Sequence, residues 1–491
     1  MHSSPAFIPP DISVPIEFQI AFAILAAIEL VLFLAAAAHA VMWRREPRAA
    51  ALWIAISLLA PLVGPLAYFV LGVNRTRRRA RRRYRGSGAA ADPHEACDPA
   101  ARAALVGDLD PLAKLTDRIS AEPLVDGNRI EPLWDGEEAF PAMLGAIAEA
   151  KQTVALCSYI FDCDATGLAF ADALAAAASR GVKVKLLVDA LGAGGIFSKL
   201  GRTLRRRRLK AASFDPLGFA PSRLVHFNLR NHRKILVVDG RVAFSGGINI
   251  SARHLMADLK HPGRCRDVHF RMRGPVVAQA MRAFADDWHF AAEETLSGEA
   301  WFPALGHEGP TLARGIPSGP DQDLERIYWA ITGAVTAARK SIHFVTPYFI
   351  PEQGLRHAII AAALQGVDVR LFLPLETDNR VVAWATRAFL WEFLQAGVRV
   401  VYTPPPFDHS KIVLVDGRWA LFGSANLDPR SLRLNFEYNV EAYDRNLCAA
   451  LAAKYEALAE KGRKVTLADV DGRSMAVRIR DGVAKLFSPY L

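Results

Sequence analysis

One short motif occurs twice in the chain, and this duplication constrains the fold more than any other feature. Each copy has a histidine, a lysine two positions on, four apolar residues, an aspartate and, after a glycine-containing stretch, an asparagine. The members are His232, Lys234, Asp239 and Asn249 in the first copy and His409, Lys411, Asp416 and Asn426 in the second. Such an apolar run predicts a buried strand that enters a turn, and alternate residues of a strand share a face. The histidine and the lysine of each copy are therefore expected on one face.

The duplication extends to the segments that precede the motif. Apolar strand-like runs at 154–161 and 342–349 open the two halves, and second apolar runs at 181–188 and 366–373 come after alanine-rich helical stretches. A strand–helix–strand order predicts mostly parallel pairing in an α/β sheet with helices on its faces. A repeat of this length indicates two fused domains and not a solenoid.

The residue types of the motif suit chemistry at a phosphodiester. Imidazole titrates near neutrality and can act as a nucleophile or a proton donor. Lysine is a compact cation suited to phosphate oxygens. Two such pairs in one cleft would let one histidine attack phosphorus while the other protonates the leaving oxygen. Neither the motif nor the rest of the chain shows a cluster with metal-ligand spacing, so no metal or cofactor is expected.

The paired motifs resemble the signatures of the phospholipase D superfamily, and the phrases around them resemble its bacterial cardiolipin synthase branch. These phrases occupy 230–234, 346–351, 423–431 and 435–437. The resemblance implies two fused phospholipase D-like α/β/α domains in a pseudo-two-fold arrangement. It also implies transfer of a phosphatidyl group from one phosphatidylglycerol to another through a phosphatidyl-histidine, with release of glycerol.

The resemblance also implies a role for each motif residue. His232 is the expected nucleophile and His409 the general acid and base, although the symmetry of the repeat leaves the reverse assignment open. The residues expected to bind phosphate are Lys234, Lys411, Asn249 and Asn426. In the superfamily a carboxylate downstream of each motif orients a histidine, the role expected here of Asp267 and Glu437.

Two further features bear on the candidate site. Asp239 and Asp416 lie beyond their strands and are expected to support local structure. Ser424 stands where the first half has Gly247, so the two halves are not chemically equivalent. The three consecutive prolines at 404–406 predict a rigid loop outside any strand ladder, from 403 to 407, at the mouth of the site.

Three alternatives remain beside the synthase hypothesis. A hydrolytic phospholipase D would use the same residues with water as acceptor. A superfamily nuclease would use the net charge of +10 for a nucleic-acid backbone, but much of that charge adjoins a hydrophobic segment, where anionic lipid explains it. A non-enzymatic scaffold would not need two intact motifs. The expected partners are therefore phosphatidylglycerol-like anionic lipids and the membrane, not nucleic acid; the phosphatidyl acceptor and the oligomeric state stay open.

Two hydrophobic segments precede the catalytic halves. Residues 16–43 and 49–73, within 1–75, are each long enough to span a bilayer, which predicts two N-terminal transmembrane helices. Pro61, Gly64 and Pro65 are expected to kink the second helix. The arginine-rich run at 75–85 places the catalytic halves on the cytoplasmic side, so a multi-pass protein of the bacterial inner membrane is expected. Arginines 44, 45 and 48 fit a simple hairpin poorly, which leaves a full crossing by the first segment open.

The remaining boundaries are drawn from composition. Residues 76–125 are interpreted as an arginine-rich juxtamembrane segment and linker, 126–300 as the first half, 301–322 as a connection rich in proline and glycine, 323–465 as the second half and 466–491 as a tail. A second basic cluster at 202–210 predicts either a solvated helix face or a headgroup contact. The tail would either pack on the domain or touch the membrane.

Overall fold

The computed structural model describes residues 15–43, 47–69, 97–190, 192, 198–214, 230–259, 261, 263–319 and 325–488. The basic run at 75–85, arginines 44 and 45, and residues 489–491 lie outside these ranges. The chain divides into two compact units, residues 1–75 and 76–491. The α-helices of the described residues are Ile16–Trp43, Pro47–Leu59, Val63–Ala67, Pro99–Val106, Asp110–Ile119, Asp135–Glu149, Ala165–Ser179, Lys199–Arg206, Val276–Ala292, Arg326–Ala337, Gln353–Leu364, Arg380–Gln395, Pro429–Arg433, Arg445–Glu460, Leu467–Asp471 and Met475–Leu486.

The described strands all belong to the second unit. They are β1 (Val125–Trp134), β2 (Thr153–Ser158), β3 (Lys183–Asp189), β4 (Ala211–Phe214), β5 (Ile235–Val238), β6 (Val242–Gly246), β7 (Cys265–Arg266), β8 (Val268–Arg273), β9 (Thr311–Ser318), β10 (Ser341–Val345), β11 (Asp368–Pro374), β12 (Arg399–Thr403), β13 (Phe407–Asp408), β14 (Ile412–Val415), β15 (Trp419–Gly423), β16 (Glu437–Tyr443) and β17 (Arg463–Val465).

The first unit contains one long apolar helix. Among the described residues, Ile16–Trp43 is the one helix that is long and apolar enough to cross a membrane. The second hydrophobic segment does not form one continuous helix: it is divided into Pro47–Leu59 and Val63–Ala67. Pro61 lies in the break, where its missing N–H cannot continue the helical hydrogen bonds. The proline therefore interrupts this segment more strongly than the predicted kink.

Fifteen strands of the second unit form one sheet, in the order β17-β12-β11-β10-β14-β15-β16-β9-β1-β8-β6-β5-β2-β3-β4. Apart from β17, the strands on the two sides of the central β9–β1 pair follow the same order. On one side they are β16, β15, β14, β10, β11 and β12, and on the other they are β8, β6, β5, β2, β3 and β4. The expectation of mostly parallel pairing was wrong. Within the described strands, β2, β3 and β4 pair in parallel, as do β10, β11 and β12, whereas the other neighbours in this sheet are antiparallel.

A tight turn after each motif strand explains the antiparallel pairing of β5 with β6 and of β14 with β15. Asp239 and Gly240 both have positive φ, 50° and 61°, and Asp416 and Gly417 repeat this with 53° and 62°. Two successive residues of that kind form the turn that joins adjacent antiparallel strands. The buried strands β5 and β14 therefore return as β6 and β15.

The two halves contact each other through the strands and helices at the middle of the sheet. Strand β9 lies within the stretch 301–322 that was predicted to be a connection, and it pairs with both β1 and β16 at the middle of the sheet. The helix Val276–Ala292 of the first half packs against β9, and Arg445–Glu460 of the second half packs against β1. The core therefore continues from one half into the other.

Two peripheral segments also pack on the sheet domain. The helix Asp110–Ile119, within the predicted linker 76–125, packs against Arg326–Ala337. The C-terminal helix Met475–Leu486 packs against Arg380–Gln395. The predicted loop before the second motif is shorter than expected, because Thr403 ends β12 and β13 pairs with β7.

Candidate active site

Each motif histidine contacts a carboxylate that belongs to the other half of the chain. The ring atom Nδ1 of His232 lies 3.1 Å from Oε2 of Glu437, and Nδ1 of His409 lies 2.8 Å from Oδ2 of Asp267. A backbone hydrogen bond also joins the two halves, because His232 N donates to Phe436 O at 2.9 Å. The two motifs are therefore brought together at the junction of the halves.

The two motif lysines are buried beside these histidines. Lys234 and Lys411 are 2% and 3% exposed. Lys234 Nζ donates to His232 O at 2.7 Å, and Lys411 Nζ donates in the same way to His409 O. Burial lowers the pKa of Lys234 to about 7 and also lowers the pKa of Lys411. Because a bound anion would favour both charged forms, the pair is suited to a phosphate group.

The carboxylate next to His232 receives additional hydrogen bonds. Ser424 Oγ donates to Glu437 Oε2 at 2.5 Å, and Asn435 Nδ2 donates to Oε1 at 3.1 Å. Burial opposes ionisation of Glu437, but His232, Lys234 and Ser424 together hold its pKa below the ordinary value. Glu437 is therefore ionised at neutral pH, and Nδ1 of His232 donates to it.

The carboxylate next to His409 has a different environment. Asp267 Oδ1 accepts from Val268 N at 2.8 Å. A Cβ atom at Gly247 would lie 2.1 Å from Asp267 Oδ1, so no serine like Ser424 fits in the first half. Burial raises the pKa of Asp267 to about 8, although Lys411 opposes the shift. At neutral pH this carboxyl group keeps its proton.

Both histidines are neutral at neutral pH, because their pKa values are lowered. Burial lowers the pKa of His232, although Glu437 acts in the opposite direction. Burial, together with the charges of Lys411 and Lys234, puts the pKa of His409 well below its ordinary value. An anion bound at the lysines would offset their effect on His409.

The other predicted residues occupy supporting positions. Asn249 Oδ1 accepts from Ile160 N at 3.1 Å, whereas the buried Oδ1 of Asn426 has no hydrogen-bond partner among the described residues. Asp239 accepts from the backbone N–H groups of residues 151–153, and Asp416 accepts from those of 339–341. The two aspartates thus lie at the far ends of the motif strands from the histidines.

Sequence reasoning missed two tyrosines. The Tyr159 ring lies 4.9 Å from the His232 ring and 5.5 Å from Lys234 Nζ. Tyr348 lies 6.3 Å from the His409 ring, and its hydroxyl donates to Asp378 Oδ1 at 2.6 Å. Tyr159 directly follows β2 and Tyr348 lies three residues after the end of β10, and these are the strands that pair with β5 and β14, so their place just after such a strand was the usable signal.

A buried hydrogen-bond network holds the residues on either side of His232. Asn231 Nδ2 donates to Asp287 Oδ2 at 2.7 Å, and Arg233 Nη1 donates to Asp287 Oδ1 at 2.8 Å. The N–H of Asn231 donates to Asp189 Oδ2 at 3.0 Å. The residues on either side of His232 are thereby held in place, which orients its ring toward Glu437.

The arrangement can carry out nucleophilic substitution at an anionic centre. One imidazole has an ionised partner, the other has a protonated partner, and two ammonium groups lie beside them. In the part of the chain that the structure describes, no group of three or more His, Cys, Asp or Glu side chains is placed to hold a metal ion.

Comparison with known proteins gives consistent similarities along the chain. A family model described as cardiolipin synthase, PLD-like domain, matches residues 143–288 and 331–459, and one described as phospholipase D-nuclease N-terminal matches 31–72. A cardiolipin synthase from Geobacillus kaustophilus (strain HTA426) is 33% identical over 91% of this chain and 90% of its own length. Cardiolipin synthase A from Pseudomonas aeruginosa (strain LESB58) is 33% identical over 94% of each chain.

One solved structure shows the same fold. The phosphatidylserine synthase of Haemophilus influenzae Rd KW20 superposes with a TM-score of 0.60 at 16% sequence identity, covering 77% of this chain and 100% of that one. At this identity the likeness concerns the fold alone.

Proposed function

The chain belongs to the cardiolipin synthases with phospholipase D-like domains, and on this basis we propose how its two histidines divide the reaction. It is a phosphatidyltransferase. The proposed donor and acceptor are both phosphatidylglycerol, and the products are cardiolipin and glycerol. The observation that carries the proposal is the unequal pair of cross-half contacts, His232 with Glu437 and His409 with Asp267.

In the first step His232 acts as the nucleophile. Because Nδ1 donates to the ionised Glu437, Nε2 carries the lone pair. Nε2 attacks phosphorus, and the bond from phosphorus to the glycerol oxygen breaks. Lys234 and Lys411 neutralise the charge on the non-bridging oxygens. The product of this step is a phosphatidyl group on His232.

His409 supplies the proton to the leaving oxygen. The protonated Asp267 donates to Nδ1 of His409, which leaves the ring proton on Nε2. When Nε2 gives this proton to glycerol, the proton of Asp267 passes to Nδ1. The pair then holds one proton fewer and is ready to act as a base.

The second step reverses the roles of the second pair. Nε2 of His409 accepts the proton of a hydroxyl group on the second phosphatidylglycerol. The oxygen attacks phosphorus, the bond from phosphorus to His232 breaks, and cardiolipin forms. Both pairs return to their starting protonation states, as a catalytic cycle requires.

We also propose a placement in the bacterial inner membrane as a multi-pass protein, with the catalytic unit on the cytoplasmic side. The apolar helix Ile16–Trp43 supports membrane association. Residues 49–73 would supply the second crossing, and the arginine-rich run at 75–85 favours a cytoplasmic position for the catalytic unit. Labelling of cysteines introduced near residues 45 and 90 with a membrane-impermeant reagent in intact and opened cells tests this topology.

Product analysis tests the overall reaction. Purified full-length protein in vesicles of labelled phosphatidylglycerol should form cardiolipin and free glycerol in equal amounts. Phosphatidic acid as the main product would identify a hydrolase and refute transfer. If phosphatidylglycerol alone gave no turnover but added phosphatidylethanolamine restored it, the acceptor would be different from the one proposed.

A chromogenic donor tests which histidine is the nucleophile and which is the general acid. Phosphatidyl-p-nitrophenol has a leaving group that needs no proton. His409→Asn should release one equivalent of nitrophenol in a burst and keep the phosphatidyl group on His232, which peptide mass spectrometry would locate. His232→Asn should give no burst. A burst from His232→Asn with the label on His409 would reverse the assignment.

A further inference from the structure

The C-terminal helix exposes a row of apolar side chains. Met475, Ile479, Val483, Leu486 and Phe487 are 69%, 60%, 49%, 77% and 55% exposed. Their spacing of three or four residues puts the helical members on one face. Single exposed apolar residues are ordinary on a protein surface, but a continuous row marks an interaction site. We call these five residues the apolar stripe.

The opposite face fixes this helix firmly to the domain. Asp481 is buried and accepts hydrogen bonds from Arg387, Arg473 and Arg480. The guanidinium of Arg480 also lies 4.6 Å from the Trp384 ring. The apolar stripe therefore faces outward because the other side of the helix is anchored.

The charge around the stripe is positive. Between residues 473 and 488 the basic residues are Arg473, Arg478, Arg480 and Lys485, and the one acidic residue is the buried Asp481. Asp481 pairs with Arg473 and Arg480, and Lys485 lies 3.7 Å from Glu392, so the basic side chains still outnumber the acidic ones. An apolar face bordered by basic side chains is the pattern of a helix that lies in the headgroup region of an anionic bilayer.

The stripe begins toward the end of the domain that carries the active site. Arg480 meets Trp384, and Lys485 meets Phe389 further along, so the C-terminal helix runs parallel to Arg380–Gln395. The helix Arg380–Gln395 starts directly after the loop that carries Asp378, the partner of Tyr348 beside His409. The end of the stripe at Met475 therefore lies toward the same end of the domain as the catalytic residues.

We propose that the apolar stripe is a docking surface for an anionic phospholipid bilayer. It inserts into the headgroup region and holds the catalytic unit with its site toward the lipid. The proposal rests on the proposed function, because a site for phosphatidylglycerol must receive a substrate whose acyl chains stay in the membrane. Insertion of one helix face is shallow and reversible, which suits a surface that works together with a separate anchor.

A fluorescent label measures insertion without turnover. Full-length Ile479→Cys, labelled with an environment-sensitive dye, is reconstituted in vesicles whose acyl chains carry bromine. Leu364→Cys is the matched control, since Leu364 is also an exposed apolar residue, 71% exposed, but lies outside the apolar stripe, at the C-terminal end of the helix Gln353–Leu364 that precedes β11. Unsubstituted protein gives the background from the native cysteines.

The expected result is strong quenching at position 479 in phosphatidylglycerol vesicles, weak quenching in phosphatidylcholine and none at position 364. Absence of quenching at 479, or equal quenching at both positions, would overturn the proposal. The proposal would also be overturned if the dye at position 479 became shielded from solvent only as the protein concentration rose. A second copy of the chain would then cover the stripe.

Turnover provides a second readout. The double variant Ile479→Asp, Val483→Asp should be about tenfold slower on phosphatidylglycerol vesicles but unchanged on short-chain phosphatidylglycerol dissolved as monomers. Leu364→Asp should change neither rate. Equal loss on both substrates would contradict a docking role. If the unsubstituted protein turned over neither substrate, the proposed function would fail, while the quenching experiment would still decide the docking proposal.

Discussion

At the scale of single residues, the two histidine–carboxylate pairs hold their protons differently. Hydrogen bonds from Ser424 and Asn435, together with nearby cationic side chains, stabilise the charge of Glu437, whereas burial keeps Asp267 protonated. The repeat therefore contains one ionised and one protonated carboxyl group. One contribution to the difference comes from the position where Gly247 leaves space for Asp267 and Ser424 donates to Glu437.

The pH dependence of the reaction should reflect these groups. Lys234, with a pKa of about 7, and Asp267, with a pKa of about 8, act in their protonated forms, which dominate below those values. We expect kcat/KM to fall as pH rises through this range. A bound phosphodiester stabilises both protonated forms, so the fall of kcat should lie at higher pH. Initial rates on micellar phosphatidylglycerol, measured as a function of pH, test this. If kcat and kcat/KM fell at the same pH, the expectation would be contradicted.

Amide substitutions should separate the two carboxyl groups. A glutamine amide at 437 can donate to Nδ1 of His232 and move the ring proton onto the nucleophilic Nε2, so Glu437→Gln should lower kcat by about 10⁴-fold. An asparagine at 267 preserves the donor to His409 but cannot pass on a proton, so Asp267→Asn should lower kcat by about 10²-fold. Steady-state kinetics on protein with an unchanged melting temperature measures both, and the opposite order would favour His409 as nucleophile.

At the scale of elements, each motif strand ends at an aspartate that joins it to its neighbour. Asp239 accepts three backbone N–H groups at the start of β2, and Asp416 accepts three at the start of β10. The carboxylates therefore align the motif strand with the strand beside it. This geometry supports the structural role that their position in the sequence predicts.

Removal of either carboxylate should reduce stability more than chemistry. We expect Asp239→Ala and Asp416→Ala to lower the free energy of unfolding by about 1–3 kcal/mol each, because backbone N–H groups lose their acceptor. Turnover per folded molecule should change by no more than a few fold. Thermal unfolding monitored by fluorescence, with turnover at low temperature, measures both quantities. Lost turnover at an unchanged melting temperature would instead give these aspartates a chemical role.

Local signals in the sequence predict some elements well and others poorly. Four branched apolar residues were enough to predict β5 and β14, because a buried strand depends mainly on its own side chains. The strand–helix–strand pairs β2–β3 and β10–β11 are parallel as predicted, but the sheet as a whole is not, partly because the positive φ of Asp239 and Asp416 turns each motif strand back on itself. The contact of His232 with Glu437 spans both halves, and no local pattern indicates which carboxylate serves which histidine.

At the scale of the whole molecule, the halves of the catalytic unit form one structure. The sheet continues through β1 and β9, and the helices Val276–Ala292 and Arg445–Glu460 each cover a central strand of the other half. The exchanged carboxylates need this continuity, since in the described site each histidine takes its partner from the opposite half. Duplication therefore produced one active site at the junction.

Cleavage of the chain after β9, which leaves β9 joined to the first half, should leave the enzyme active. A protease site placed at 320–324 would separate a fragment ending after β9 from one beginning before Arg326–Ala337. Because β9 stays paired with β16 and the carboxylates stay exchanged, the cut protein should remain associated and keep most of its turnover. Either fragment expressed alone should have none, with the uncut engineered protein as the control. Measurable transfer by one fragment would show that a single half can build the site, and the exchange of carboxylates would then not be required for activity.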